Sequence, residues 1–314
     1  MTRKKLLLVF NPKSGKGEFV DNLFAVVNRF TKSGFEVTTY PTQAKGDAVD
    51  MILRRAGDFD YLVCSGGDGT LSEAINALMQ LESHPIFGYI PSGTTNDFAN
   101  SLGLPLGVLQ AAESICTGDV FPMDVGRFGD RYFAYVAAFG LFTDVSYDTS
   151  QGMKNIFGQA AYILEGAKRL ANIKTFRCSV HIEDEEIIDD FILGMAANST
   201  SIGGFHLFAD DRINLDDGKF EVLLIRNSKN FIDTQNIIAS LLNNEVYTES
   251  VVRYRATRME VLSRVDIPWS LDGEFGGRRR EVLIENCQKA VNIIVPEGSA
   301  AQLSASNNEA PVQG

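Results

Sequence analysis

Two textures follow one another along the 314 residues, and together they predict an α/β half followed by a mainly β half. In the first half, short apolar runs alternate with stretches of helical periodicity, the pattern of a parallel sheet covered on both faces. In the second, β-branched and aromatic residues often alternate with polar ones, and turn dipeptides separate several of the runs. Glycine-rich loops follow the apolar runs of the first half, where open parallel sheets bind ligands. The expected organisation is an α/β domain over 1–125, rejoined by about 289–298. An antiparallel β-sandwich domain over 126–288 and a disordered, small-residue polar tail over 299–314 complete it.

Leu6–Phe10 is the first strand, followed by the loop NPKSGKG and a helix from about Glu18 to Lys32 with Phe19, Leu23, Val26, Val27 and Phe30 on one stripe. Gly34 ends that helix. Phe35–Tyr40 is a strand and Asp47–Ala56 a helix. Tyr61–Ser65 is a strand running through GGDGT into a helix over Leu71–Leu81, and Ile86–Pro91 runs into SGTTND. Beyond Asp124 the expected strands are Phe133–Phe142, Phe176–Glu183, Ile187–Ala197, Lys219–Arg226, Tyr254–Leu262 and Glu281–Glu285. Asp217-Gly218 and Asp272-Gly273 mark turns, and helices interrupt near Asn155–Ala171 and Phe231–Leu242. Ala290–Val295 is a last strand returning to the first domain.

Composition narrows the function. Acidic residues number 40 against 29 basic, a net charge of −11, which argues against nucleic acid as a partner because that needs a basic face. An anionic ligand must therefore be met locally, by loop amides, a helix N-terminus or a metal. Cys64, Cys116, Cys178 and Cys287 are scattered, with no CxxC and no zinc-like pairing with His84, His181 or His206, as expected of reduced cysteines in a cytoplasmic protein. No apolar run suits a signal peptide or a membrane span, so membrane contact is expected to be peripheral.

Three loops carry the chemistry. Asn11-Pro12-Lys13-Ser14-Gly15-Lys16-Gly17 is rich in glycine and lysine but is not a P-loop, and a capped turn accounts for it equally. Gly66-Gly67-Asp68-Gly69-Thr70 lets the backbone approach a bulky anion at a helix start. A carboxylate at Asp68 would repel that anion unless a cation lay between them, which points to nucleotide phosphates with Mg²⁺; the alternative is a tight turn capped by Asp68. Pro91-Ser92-Gly93-Thr94-Thr95-Asn96-Asp97 repeats the arrangement, and two acids at one sheet edge suit metal-assisted phosphoryl transfer.

NPKSG at 11–15, GGDGT at 66–70 with Glu73 three beyond, PSGTTNDFA at 91–99, MDVGR at 123–127, NLDDGKFEV at 214–222 and LDGE at 271–274 resemble, in order and spacing, the diacylglycerol kinase catalytic-domain family, the soluble bacterial members in particular. The resemblance covers about residues 5 to 296; GGDGT alone is shared with NAD kinases. It implies a two-domain lipid kinase with ATP in the interdomain cleft, phosphorylating diacylglycerol to phosphatidic acid. Asn11, Pro12, Lys13, Ser14 and Gly15 would line the nucleotide, with Gly66, Gly67, Asp68, Gly69, Thr70, Leu71, Ser72 and Glu73. Thr42 would lie at its edge and Thr94 on a phosphate. Asp68, Asp97 and Asp124 match the acids that organise catalytic Mg²⁺. Glu274 matches the family's proton acceptor, with Asp272 the neighbouring alternative. Asn214, Asp217 and Lys219 match a site for a structural Mg²⁺, where chemistry alone reads a turn. A homodimer is what the bacterial relatives suggest.

Between Gln151 and Val180 five basic residues stand against Glu165, with Phe157, Tyr162, Ile163, Leu164 and Leu170 at roughly helical spacing. Such a stretch suits transient contact with the inner face of a membrane or, equally, a stripe packed on the sandwich. Arg278-Arg279-Arg280 is a second basic cluster, available to phosphates or lipid headgroups, and Trp269 is expected to pack behind the LDGE loop. Competing functions are an NAD kinase, disfavoured because no GSTAY-type segment occurs, a kinase of another lipid acceptor, and a catalytically inactive nucleotide-sensing or membrane-docking protein.

Overall fold

In the computed structural model, residues 3–94, 96–141, 174–199, 214–227 and 250–304 are described. Strands β1 (Lys4–Phe10), β2 (Phe35–Pro41), β3 (Tyr61–Gly66) and β4 (Ile86–Pro91) pair in parallel in the order β2-β1-β3-β4. Alternate residues of β1 enter different cores, as a sheet covered on both faces requires. Leu6, Leu8 and Phe10 pack with Phe19, Val26 and Phe30 of α1 (Glu18–Lys32) and Val108, Ala111 and Ile115 of α5 (Val108–Thr117). Leu7 and Val9 pack with Met51 and Ile52 of α2 (Asp47–Arg55) and Leu71 and Ile75 of α3 (Asp68–Leu78). The short α4 (Asp97–Ser101) follows the third glycine loop. Helix α1 has its expected limits, whereas α3 starts at Asp68 rather than Leu71, directly after the extended Gly67.

Among the described residues strand outweighs helix, and the second half continues the sheet. It holds β5 (Asp119–Phe128), β6 (Arg131–Phe133), β7 (Val136–Gly140), β8 (Phe176–Ile182), β9 (Glu185–Ala197), β10 (Phe220–Arg226), β11 (Val251–Ala256), β12 (Arg258–Leu271) and β13 (Glu274–Val295). Instead of a separate second sheet, the hydrogen bonding runs unbroken through 13 strands. The connector is β13. It leaves the β12 hairpin, pairs antiparallel with β5 and ends beside β4, where Ile293 faces Phe87, so the expected returning strand is its far end.

Long strands β9 and β12 each pair with β7 at one end and β8 at the other. They enclose an aromatic core in which Trp269 stacks edge-on between Phe128 and Phe139, at 5.1 and 4.9 Å between ring centroids. Two expected strands are split. Tyr254–Leu262 breaks at Thr257, whose hydroxyl donates to Glu183 (2.9 Å), and Phe133–Phe142 breaks at 134–135, where the backbone amides turn to Asp272.

The tail is docked further than its composition suggested. Gly298 N–H donates to Asp119 Oδ2 (2.7 Å), and α6 (Ala300–Leu303) follows. The Leu303 carbonyl accepts Leu215 N–H (3.2 Å), and Ser304 Oγ donates to Asp216 (3.0 Å). Apolar Ala300 and Leu303 against the core explain why 299–304 is held; 305–314 lies outside the described residues, as do the helices expected near 155–171 and 231–242 and most of the basic stretch from 151.

Because Trp269 is fully buried, Trp269→Ala should cost roughly 3–5 kcal/mol in denaturant unfolding of the whole chain. A loss under about 1 kcal/mol would contradict the packing described.

Candidate active site

The three glycine loops meet at the carboxyl ends of β1, β3 and β4. Asn11 N–H donates to the Ser65 carbonyl (2.9 Å), while Asn11 Oδ1 accepts Lys13 N–H (2.9 Å) and shapes the 11–15 loop with Pro12 in it. Ser14 Oγ donates to the Ser92 carbonyl (3.2 Å). At Gly15, with φ +58°, a Cβ would stand 2.3 Å from the Ser92 oxygen, so only glycine lets the first loop lie on the third. The second and third loops are equally close: a Cβ on Gly93 would come within 2.8 Å of Gly67 Cα. Asn96 braces the third loop by exchanging side-chain hydrogen bonds with Gly93 N–H and C=O, both at 3.0 Å. Thr42 N–H donates to the Phe10 carbonyl (2.9 Å), which brings the end of β2 to the same edge, and Thr94 is exposed there. The buried hydroxyls of Ser65 and Ser92 have no partner among the described residues.

Acids gather against these loops. Asp272 is 1% exposed and accepts three backbone N–H groups: Ala134 on Oδ2 (2.7 Å), Tyr135 and Val136 on Oδ1 (2.9 and 3.1 Å). With Gly273 it forms the two-residue turn between β12 and β13, at φ 49° and 78°, which carries Glu274 to the cleft. Glu274 hangs over the start of α3: a Cβ at Gly69 would be 3.1 Å from Oε1, and Lys45 Nζ reaches Oε2 at 3.2 Å. Glu73 sits beside them, accepting Gly46 N–H (2.9 Å). Leu71 and Ser72 belong to the same helix with buried side chains, and Thr70 and Leu71 N–H donate back to the Gly67 carbonyl. The first amides of α3, at Asp68 and Gly69, lack intrahelical acceptors.

Asp97 and Asp272 add to the proton affinity of Asp68. Burial, then the charges of Asp97 and Asp272, push Asp68 up to about 7. Burial also lifts Asp272, but its three N–H donors pull it back, leaving it at about 6. Asp68 Oδ1 is buried without a partner among the described residues. That orphaned carboxylate oxygen suits a hard cation, with Asp97 the neighbouring acid, while no group of three His, Cys, Asp or Glu side chains placed to hold a metal occurs among the described residues. Tyr135 lies against the same three acids, its hydroxyl pushed well above the ordinary tyrosine range by burial and their charge. Neither Tyr135 nor Lys45 carried a sequence signal; both arrive through distant packing.

Asp124 does not join this group. It is fully buried, its Oδ2 accepts Gly218 N–H (2.6 Å) and its Oδ1 accepts Lys289 N–H (2.8 Å), with burial raising it to about 6. The structure assigns it to the 214–219 turn. There Asn214 Nδ2 donates to Asp217 Oδ2 (3.4 Å) and Lys219 N–H to Asp217 Oδ1 (2.9 Å), but the Arg255 guanidinium also pairs with Asp217. The segment forms the turn as expected, while the carboxylate expected to hold a structural Mg²⁺ already carries a cationic partner. Of the remaining expectations, Arg279 and Arg280 pair with Asp130 (3.8 Å) and Asp266 (3.1 Å), and the His84 ring lies between the carbonyls of Ala290 and Leu81.

Comparison with known proteins places the chain in a family. Residues 5–128 match the family model of the diacylglycerol kinase catalytic domain. A diacylglycerol kinase of Bacillus subtilis is 30% identical over 303 residues, spanning 96% of this chain and 99% of its own length. One from Staphylococcus saprophyticus is 34% identical over 278 residues, 88% of this chain and 90% of its own. The chain belongs to the diacylglycerol kinase family. The crystal structure of a diacylglycerol kinase from Bacillus anthracis shares the fold, with a TM-score of 0.72 at 22% identity over 94% of this chain and 98% of that one.

The acid crowding sets a pH dependence. In the folded chain Asp68 holds its proton to about 7, whereas unfolded it loses it near 3.8, so without metal stability falls as pH rises between those values. Melting in EDTA from about pH 5 to 8 should show the wild type losing more melting temperature than Asp68→Asn. Parallel curves would contradict the shift.

Proposed function

We propose that this chain is an ATP-dependent kinase that phosphorylates the free hydroxyl of 1,2-diacylglycerol to give phosphatidic acid. The observation that carries this is the Glu274 carboxylate hanging over the glycine-loop start of α3, in a chain whose relatives at 30–34% identity are diacylglycerol kinases. The backbone of Asn11 to Gly15 and Gly66 to Gly69 cradles the ATP phosphates, and the glycines permit that approach because no Cβ intervenes. The partnerless hydroxyls of Ser65 and Ser92 and the exposed Thr94 add donors. Asp68 and Asp97 are the residues that would hold Mg²⁺, with Asp124 acting on this site only through the fold. When bound, that ion supplies positive charge beside the phosphate oxygens.

Glu274 rather than Asp272 then accepts the proton of the lipid hydroxyl as that oxygen attacks the γ-phosphorus. Asp272 has both oxygens occupied by amides and serves as the anchor of the turn, whereas Glu274 is half-exposed toward the cleft with one ammonium partner. Lys45 holds the Glu274 carboxylate turned to the loops. The continuous sheet divides by function: residues 1–125 with the end of β13 hold the nucleotide, and 126–288 complete the lipid side. The acceptor resides in a membrane, so a peripheral, transient approach from the cytoplasmic side goes with this function, and a homodimer is the assembly proposed for it.

The test is transfer of label from radioactive ATP to a lipid panel in mixed micelles, with NAD as a competing acceptor. Diacylglycerol should be labelled. Glu274→Gln should lose about 10²–10⁴-fold in kcat while still binding ATP. Label on NAD and on no lipid would overturn the assignment, and full activity of Glu274→Gln would remove it as the base.

A further inference from the structure

The turn Asn214–Lys219 presents two adjacent aspartates and a glycine, and each aspartate is met by a cation from a different strand. Asp217 is engaged on both oxygens, by Lys219 N–H on Oδ1 and by Asn214 Nδ2 and the Arg255 guanidinium on Oδ2. Arg255 is not a casual visitor. In the antiparallel β10–β11 ladder it stands directly opposite Glu221, and its Nε lies 2.9 Å from Glu221 Oε1. The side chains of Asp217 and Glu221 are only 19% and 16% exposed, so the guanidinium bridges two largely desolvated carboxylates. Asp216 takes Ser304 Oγ (3.0 Å) and Lys289 Nζ (3.6 Å), and the Gly218 amide is spent on Asp124.

We propose that Arg255 supplies, from within the chain, the positive charge that a divalent ion would otherwise bring to this turn, and that the turn closes without metal. A carboxylate offers about four lone-pair sites, and here the donors already present occupy both oxygens. A divalent ion at Asp217 would have to expel a guanidinium that a second carboxylate holds in place, and would meet its repulsion while doing so. The planar fork of arginine suits this bridge because it faces two acids at once. Joined to β5 through Asp124, to β13 through Lys289 and to α6 through Ser304, the turn is a charge-stapled joint of the sheet.

Titration of paramagnetic Mn²⁺ into the full ¹⁵N-labelled chain tests this. In the wild type the Gly218 and Lys219 amide signals should keep their intensity, and in Arg255→Met they should be broadened away as the vacated carboxylate takes the ion. Loss of those signals in the wild type at the same Mn²⁺ concentration overturns the proposal. So does their persistence in a folded Arg255→Met, which would mean the turn has no place for a cation. If that variant does not fold, the wild-type signals decide alone.

Discussion

Three consecutive backbone amides, from Ala134, Tyr135 and Val136, converge on the carboxylate of Asp272. A buried carboxylate tolerates its desolvation when it accepts such bonds, and in return it fixes whatever chain carries it. Here it fixes the turn between β12 and β13 against the gap between β6 and β7. Glu274, two residues on, is thereby set over Gly69, and the aromatic core around Trp269 holds the hairpin from behind. The same pin delivers Tyr135 to the acid cluster. Hairpin, cluster and glycine loops thus depend on one carboxylate whose own oxygens are not free for chemistry.

The second organising fact is charge. In a chain of net charge −11, burial first and then the charges of Asp97 and Asp272 let Asp68 retain its proton to about 7. That arrangement is unfavourable by itself and becomes favourable when a cation shares it. The turn at 214–219 solves the like problem differently, with Arg255 and Lys289 answering Asp217 and Asp216. Among the described residues Asp68 keeps Oδ1 unpartnered, whereas Asp217 has both oxygens engaged, and that difference separates the two acid groups physically.

Much of this was legible in the residues. The apolar stripe of α1 and the stop at Gly34 gave its limits, and the runs at Tyr61 and Ile86 gave strands of the parallel sheet, because each is decided by local periodicity and by glycine. The hairpin at Asp272-Gly273 was equally local. What stayed hidden depends on partners far along the chain. The place of Asp124 is set by amides at Gly218 and Lys289, the continuity of β13 by neighbours on β12, β5 and β4, and the ordering of 299–304 by Leu215 and Asp216. MDVGR and NLDDG singled out Asp124 and Asp217 but not the neighbours each would have, and no pattern around Lys45 or Arg255 announced their partners.

Asp68, whose Oδ1 has no partner among the described residues, and its neighbour Asp97 are proposed to share a cation with ATP phosphates. Calorimetric titration of the chain with ATP near pH 7, with Mg²⁺ and with EDTA, in buffers of different ionisation enthalpy, tests it directly. The account predicts tighter ATP binding with Mg²⁺, accompanied by proton release that Asp68→Asn abolishes. Equal affinity in Mg²⁺ and EDTA, with no proton exchanged, would contradict it.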